Sequence, residues 1–314
     1  MKRLPLERFE GCLLGLAVGD ALGMPFEGWR PNWIRRREGG AVRDFRAAPR
    51  RGLREGMWTD DTKMALHLAE SIVGSGGRVV PEDVAHGYVA WFDSGDLRGI
   101  GGATFESIMR LKSGAPWERS GKTGAYAAGN GTAMRCAPIG LINCLSLERL
   151  REDARNDAII THSNDEAVAG SRAVCYIVAL GVRAARKPSP ALIDAAVEFI
   201  GDCTLAGRLR TAKTLLEQNT PTPAALEKLG TSGYVVETVA SALFTFLKTP
   251  SDFETTVAEA VSAGGDTDTT AAVAGAISGA WNGAARIPRR WLDNLEAADY
   301  IRALAAKIHA AASA

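Results

Sequence analysis

Apolar residues recur at intervals of three and four through most of this chain, and that period leaves little room for anything but helices. Near the N-terminus Phe9, Cys12, Leu13, Leu16 and Ala17 share one helical face. Pro81 sits where a first helical turn tolerates it, acids that suit a helix N-terminus follow, and Val84, Tyr88 and Phe92 stack at i+4. The same period fills 164–186, 191–200, 211–218, 234–247, 253–261 and 300–312, whereas alternating strand patterns bounded by turns are almost absent. The expectation is an all-α fold. No Pro/Ser-rich linker or sequence repeat divides it, so residues 1–314 are expected to form a compact single domain.

Hydrophobic content of 46% with 23% charged residues is the profile of a globular protein with a substantial core. Lys+Arg 37 against Asp+Glu 36 leaves a net charge of +1, so no global electrostatic argument for nucleic acid or membrane arises. Cys12, Cys136, Cys144, Cys175 and Cys203 are odd in number, widely spaced and never in a C-x-x-C pattern, which reads as free thiols in a reducing compartment. The N-terminal apolar run is only Cys12–Val18, and Glu7 and Glu10 precede it where a signal peptide would be basic. No stretch reads as the ~18 apolar residues that cross a bilayer. The expected location is the cytoplasm.

Residues 30–57 break the helical pattern with glycines, Pro31, Pro49 and nine arginines from Arg30 to Arg54. They read as a long structureless connection. A solvated, ion-paired loop is the plain reading. The alternative is a basic flap over an anionic ligand.

Two segments carry dense carboxylates at helix starts. In "MWTDDTKMALHLAESI" Asp60 and Asp61 are adjacent, flanked by Thr59 and Thr62, ahead of a buried stripe of Met64, Ala65, Leu68, Ala69 and Ile72. In "SAGGDTDTT" Asp266 and Asp268 alternate with threonines before a run of small apolar residues. Each reads on its own as a helix cap, with Thr59 or Asp60 in one case and Asp266 in the other. One capping carboxylate suffices per helix, yet each segment supplies two. Four carboxylates brought together away from water must be protonated or neutralised by cations. Hard divalent ions that prefer oxygen ligands would suit them.

"GNGTAMRCAPIGL" places Gly129 and Gly131 around Asn130, a segment that lets backbone approach a ligand and aim N–H groups at phosphates, or that forms an ordinary turn. His162 precedes a helix and taken alone reads as structural. "SGKTG" (120–124) is no phosphate-binding P-loop, because Pro116 occupies the required glycine position and the preceding "TFESIMRLK" is helical rather than a strand.

Taken in order, "GCLLGLAVGDALGMPFEG", "WTDDTKMALHLAESI", "GNGTAMRCAPIGL", "THSNDEAVAGS" and "SAGGDTDTTAAVAGAISGAWNG" resemble the ADP-ribosylglycohydrolases. The resemblance runs from Gly11 to about Gly283. It implies a compact orthogonal helical bundle with two divalent cations, Mg²⁺ or Mn²⁺, at the floor of a cleft. By position it implies Thr59, Asp60, Asp61, Asp266, Asp268 and Thr269 as metal ligands. It implies Glu27 over the scissile ribose, with Glu27 and Asp61 as acid/base candidates, and Gly129, Asn130, Gly131, Met134 and His162 as substrate contacts. Asp20 would be structural support. The sequence departs from the family around "WFDSGDLRGIGGAT", where Asp93 and Asp96 are near but out of register with an acidic family position and Gly99 precedes "IG". The implied activity is metal-dependent hydrolysis of the bond between the distal ribose of ADP-ribose and an acceptor. The implied substrate is an ADP-ribosylated protein or small-molecule conjugate; no membrane is implied, and nucleic acid is disfavoured as acceptor. A non-catalytic ADP-ribose binder on the same fold, or a metallohydrolase of another ribosyl substrate, remains the alternative.

Overall fold

A computed structural model of the protein describes residues 4–184 and 187–313. Among them 17 α-helices form. The first six are α1 (Leu6–Gly23), α2 (Pro31–Glu38), α3 (Asp60–Gly74), α4 (Pro81–Asp93), α5 (Gly102–Lys112) and α6 (Trp117–Ser120). Next come α7 (Ala137–Ile142), α8 (Leu147–Thr161), α9 (Asp165–Arg183), α10 (Ala191–Ile200), α11 (Thr204–Glu217) and α12 (Thr222–Leu229). The last are α13 (Val235–Lys248), α14 (Phe253–Ser262), α15 (Thr267–Asn282), α16 (Arg289–Leu292) and α17 (Ala298–Ser313). The sheet among the described residues is minimal: β1 (Lys122–Thr123) pairs in parallel with β2 (His162–Ser163), Lys122 opposite His162. The fold is all-α, as the apolar period requires.

The centre of the molecule is the antiparallel contact of α1 with α15. Glycines stand at every fourth position of α1, and each meets the backbone of α15. A Cβ at Gly11 would lie 2.5 Å from the Gly279 carbonyl oxygen, one at Gly15 2.9 Å from the Gly275 carbonyl carbon, and one at Gly23 2.5 Å from Asp268 Cα. Residues lacking Cβ let two helices touch backbone to backbone. Both helices are consequently wrapped by others, and every residue from Gly11 to Gly23 is buried. The expectation of one apolar face on α1 is therefore corrected: a central helix has no solvent face to leave polar. The membrane expectation changes for the same reason. Residues Leu6–Phe26 are long and apolar enough to span a bilayer, with a mean hydropathy of 1.3 over their most apolar 18-residue window, yet 89% of that window is buried within the protein.

Residues 30–57 are not the structureless connection expected. Pro31 opens α2 at its first turn, and Gly39, left-handed at φ 69°, stops it. Pro49–Arg51 adds a 3₁₀ turn, and Ile34, Val42, Phe45 and Leu53 anchor the segment on the core. Its arginines do form ion pairs, Arg46 with Glu38 at 2.8 Å and Arg43 with Glu254 at 2.8 Å. The helix expected over 211–218 begins earlier, at Thr204, because Glu166 of α9 accepts hydrogen bonds from the N–H groups of Thr204 and Leu205 at 2.6 and 3.0 Å. The helix expected over 164–186 ends at Arg183, and 185 and 186 lie outside the described residues. All five cysteines are free thiols; Cys203 is half-buried and the others are buried.

Candidate active site

The antiparallel crossing brings the end of α1 to the start of α15. Asp20 and the Met24–Phe26 turn leading to Glu27 thus lie beside Asp266 and Asp268. Asp20 draws in a third element. Its carboxylate accepts from Thr59 N–H at 2.9 Å and Thr59 Oγ1 at 2.8 Å, and from Thr62 N–H at 3.0 Å and Thr62 Oγ1 at 2.7 Å. The start of α3 is thereby capped by a carboxylate on another helix.

This arrangement overturns the capping reading of both acid clusters. Thr59 occupies the N-cap position of α3 and Asp266 that of α15, but neither side chain caps its own helix. The Asp266 carboxylate instead accepts from Asn130 Nδ2 at 2.8 Å, and the same amide reaches Thr238 Oγ1 at 2.9 Å. Asn130 therefore ties the "GNG" loop to the second acid cluster.

One cleft is lined by Glu27, Asp60, Asp61, Asp266, Asp268 and Thr269, together with Gly129, Asn130, Gly131, Met134 and His162. The residues picked out at the two helix starts and in the loop thus meet at one place. Thr59 alone among them does not line the wall, since it is buried with its hydroxyl donating to Asp20. Sequence reasoning missed the remaining wall, Gly99 and Gly101–Thr104, although the "GIGG" glycines were a signal for it. At Gly99 φ is +80°, and a Cβ there would fall 2.9 Å from Thr59 Cβ and closer still to Asp60 Oδ1. No acidic side chain fits at that position. Asp93 is exposed and ion-paired with Lys112, and Asp96 pairs with Arg98 at 2.8 Å; neither lines the cleft. At the mouth Arg51 pairs with the half-exposed Glu27, a contact the sequence did not announce.

The acids perturb one another. Burial raises Asp60 to about 8, and the charges of Asp20, Glu27 and Asp266 push the same way. Asp61 lies well above the ordinary carboxylate range through burial, with Asp20, Asp60 and Asp266 nearby, and Asp268 does so through burial, Asp266, Asp61 and Glu27. Asp20 is raised by burial, against which its four hydrogen bonds act. His162 is lowered to about 3, first by burial and then by the charges of Arg135 and Lys122, so its ring is neutral across the ordinary pH range.

These donors fit a hard divalent cation. They are carboxylate and hydroxyl oxygens, and Asp61 Oδ1 is buried with no hydrogen-bond partner among the described residues. Such an oxygen is stabilised by a proton or a cation. The fit lies in the chemistry of the donors: among the described residues, no three His, Cys, Asp or Glu side chains are grouped closely enough to hold a metal ion as they stand. A wider depression between 47–57 and 293–296 has no comparable cluster of buried acids.

The family profile described as ADP-ribosylglycohydrolase matches residues 1–314. An uncharacterized protein of Archaeoglobus fulgidus is 37% identical over 305 residues, covering 96% of each chain. The ADP-ribosylarginine hydrolase Tri1 of Serratia proteamaculans is 30% identical over 313 residues, covering 96% of this chain and 79% of its own length. A solved chain described as an ADP-ribosylglycohydrolase-related protein complex superposes with a TM-score of 0.80 at 30% identity, covering 98% of both chains. Matched along its whole length in sequence and in fold, the chain belongs to the ADP-ribosylglycohydrolase family.

Proposed function

We propose that the protein hydrolyses the glycosidic bond between the distal ribose of ADP-ribose and an acceptor, with divalent cations held by Asp60, Asp61, Asp266, Asp268 and Thr269, and with Thr59 adjoining them. The observation that carries this reading is the meeting of two acid clusters from the starts of α3 and α15 in one cleft, where Asp61 Oδ1 has no partner among the described residues. When bound, Mg²⁺ or Mn²⁺ would supply Lewis-acid and templating chemistry at the sugar.

The chain's own groups do the rest. Water adds at the anomeric carbon, the bond to the acceptor breaks, and the acceptor leaves with a proton. Departure develops oxocarbenium character, which the carboxylates around the cleft stabilise. Glu27 and Asp61, which both line the cleft, are the acid/base groups of this reading, each contribution typically worth ~10²–10⁴-fold in rate. The "GNG" loop and His162, which line the same cleft, would hold the diphosphate and ribose oxygens.

The test is ADP-ribose release from a panel of defined linkages in Mg²⁺, in Mn²⁺ and in chelator. ADP-ribosylarginine leads the panel because the Serratia relative is named for it. Metal-dependent release from any linkage supports the reading. A panel silent in every condition refutes it and leaves an ADP-ribose binder on the same fold.

A further inference from the structure

Behind the cleft lies a fully buried guanidinium that the proposed chemistry does not use. Arg135 donates through Nε to the Asp157 carboxylate at 3.1 Å and through Nη2 to the Asp157 carbonyl at 2.8 Å. Tyr88 donates its hydroxyl to the same carboxylate at 2.9 Å, and the guanidinium lies 5.1 Å from the Tyr88 ring centroid. The charge is thus paired and the group held rigidly. Its two Nη1 protons go elsewhere: one to the carbonyl of Gly131, in the "GNG" loop, and one to Thr161 Oγ1, both at 2.8 Å.

Thr161 passes this on. Its hydroxyl oxygen is 2.8 Å from His162 Nδ1. That oxygen already accepts from Arg135, and among the described residues the only acceptor within reach of its own proton is Nδ1. A threonine hydroxyl has a single proton to give. If it is given to Nδ1, the imidazole proton must sit on Nε2. The opposite tautomer would point two donors, Nδ1–H and Arg135 Nη1–H, at the threonine oxygen and leave its own buried O–H unmatched. Nε2 has no hydrogen-bond partner among the described residues, and His162 lines the cleft. The ring edge is pinned beneath the loop, since a Cβ at Gly129 would fall 3.0 Å from Nε2 and one at Gly131 2.7 Å from Cε1.

We infer that Arg135 and Thr161 are positioning residues: the chain Arg135 Nη1–H to Thr161 Oγ1, and Thr161 O–H to His162 Nδ1, holds His162 as its Nε2–H tautomer and presents one neutral hydrogen-bond donor to a phosphate or hydroxyl oxygen of the ligand. The ligand half rests on the proposed function; the tautomer half does not. The same guanidinium holds the Gly131 carbonyl, so loop and donor are set by one group. Because the ring is neutral, the donor needs no protonation to serve. The site would accordingly select ligand oxygens that accept hydrogen bonds.

The test uses the full chain labelled with ¹⁵N-histidine, its signals assigned by a His162→Gln variant, in long-range ¹H–¹⁵N spectra. The expected wild-type spectrum shows a protonated Nε2 and a bare, hydrogen-bonded Nδ1, favouring that tautomer on the order of tenfold or more. Thr161→Val removes the Nδ1 bond and is expected to shift both nitrogens and mix the tautomers, while Thr161→Ser restores the wild-type pattern. ADP-ribose is expected to move the Nε2–H signal and to bind about tenfold more weakly to Thr161→Val than to Thr161→Ser. An Nδ1–H tautomer in the wild type, or Thr161→Val spectra identical to wild type, overturns the inference. If Thr161→Val does not fold, the wild-type tautomer alone decides. An Nε2–H spectrum that saturating ADP-ribose leaves unmoved overturns the ligand half and, separately, the ADP-ribose reading of the cleft.

Discussion

Substituting Gly275 by alanine should damage the site from its far side. Gly275 lies mid-way along α15 against Gly15, and its added Cβ would fall 2.8 Å from the Gly15 carbonyl carbon and nearer still to the oxygen. Neither group is a flexible side-chain end that can swing aside. Restoring ordinary contact, 3.4 Å or more, requires the two helices to part by a sizeable fraction of an ångström at least. Overpacking of this kind costs about 1–3 kcal/mol, and the higher helix propensity of alanine returns up to about 1 kcal/mol. The net loss is about 1–2 kcal/mol, a few degrees in Tm for a chain of this size. The functional effect should exceed the stability effect. The crossing sets Asp20 on α1 and Glu27 just beyond its end against Asp266 and Asp268 at the start of α15, and misplacement by 1 Å can cost about 10²-fold in rate. Gly207→Ala in α11 is the control, since nothing lies within 4 Å of its added Cβ; it should raise stability by about 0.5–1 kcal/mol and leave release unchanged. Calorimetry and ADP-ribose release read both variants. If Gly275→Ala matches wild type in Tm and in rate, the backbone contact does not position the acids and the reasoning fails.

Three further outcomes are expected. Asp20→Asn keeps one accepting oxygen but turns an amide N–H₂ toward donors on Thr59 or Thr62, leaving at least one buried donor unmatched; chemical denaturation should show a loss of about 1–3 kcal/mol, together with weakened cation binding, and an unchanged midpoint would refute the capping role. Asp60, at about 8, and Asp61 and Asp268, also raised, keep protons in the folded state that the unfolded chain, with ordinary values near 3.8, releases at lower pH. In chelator the part due to Asp60 is therefore whole below pH about 4 and is lost as pH rises toward 8, at up to about 1.4 kcal/mol per pH unit, with Asp61 and Asp268 acting in the same direction, while saturating Mg²⁺ flattens the slope; a flat profile in chelator contradicts it. Glu27→Gln should bind ADP-ribose within a few-fold of wild type yet lose about 10²–10⁴-fold in turnover, and near-normal turnover removes Glu27 from proton transfer.

The sequence disclosed elements better than their meeting. The carboxylates of Asp60, Asp61, Asp266 and Asp268 were legible because two acids per helix start exceed what a cap needs. That both clusters share one cleft was implied only by family resemblance, since no local pattern records a contact between residues some 200 positions apart. The caps themselves were misread: local chemistry placed them on Thr59 and Asp266, whereas the donors at α3 are satisfied by Asp20 from another helix. The fourfold glycine spacing of α1 was present in the letters but hidden by the apolar period, which reports burial without saying how closely backbones approach. Likewise Pro31 and Gly39 are start and stop signals, obscured in α2 by its run of arginines. Arg135 carried no local sign at all, because its partners come from α8 and the "GNG" loop.

The claim that the two acid clusters form one cation site is tested most directly by Mn²⁺ titration of the chelator-stripped protein, read by electron paramagnetic resonance, for wild type, Asp61→Asn and Asp268→Asn. The account predicts saturable binding by the wild type and at least about tenfold weaker binding in each variant, although the two residues start different helices. Mn²⁺ affinity unchanged by either substitution would contradict it.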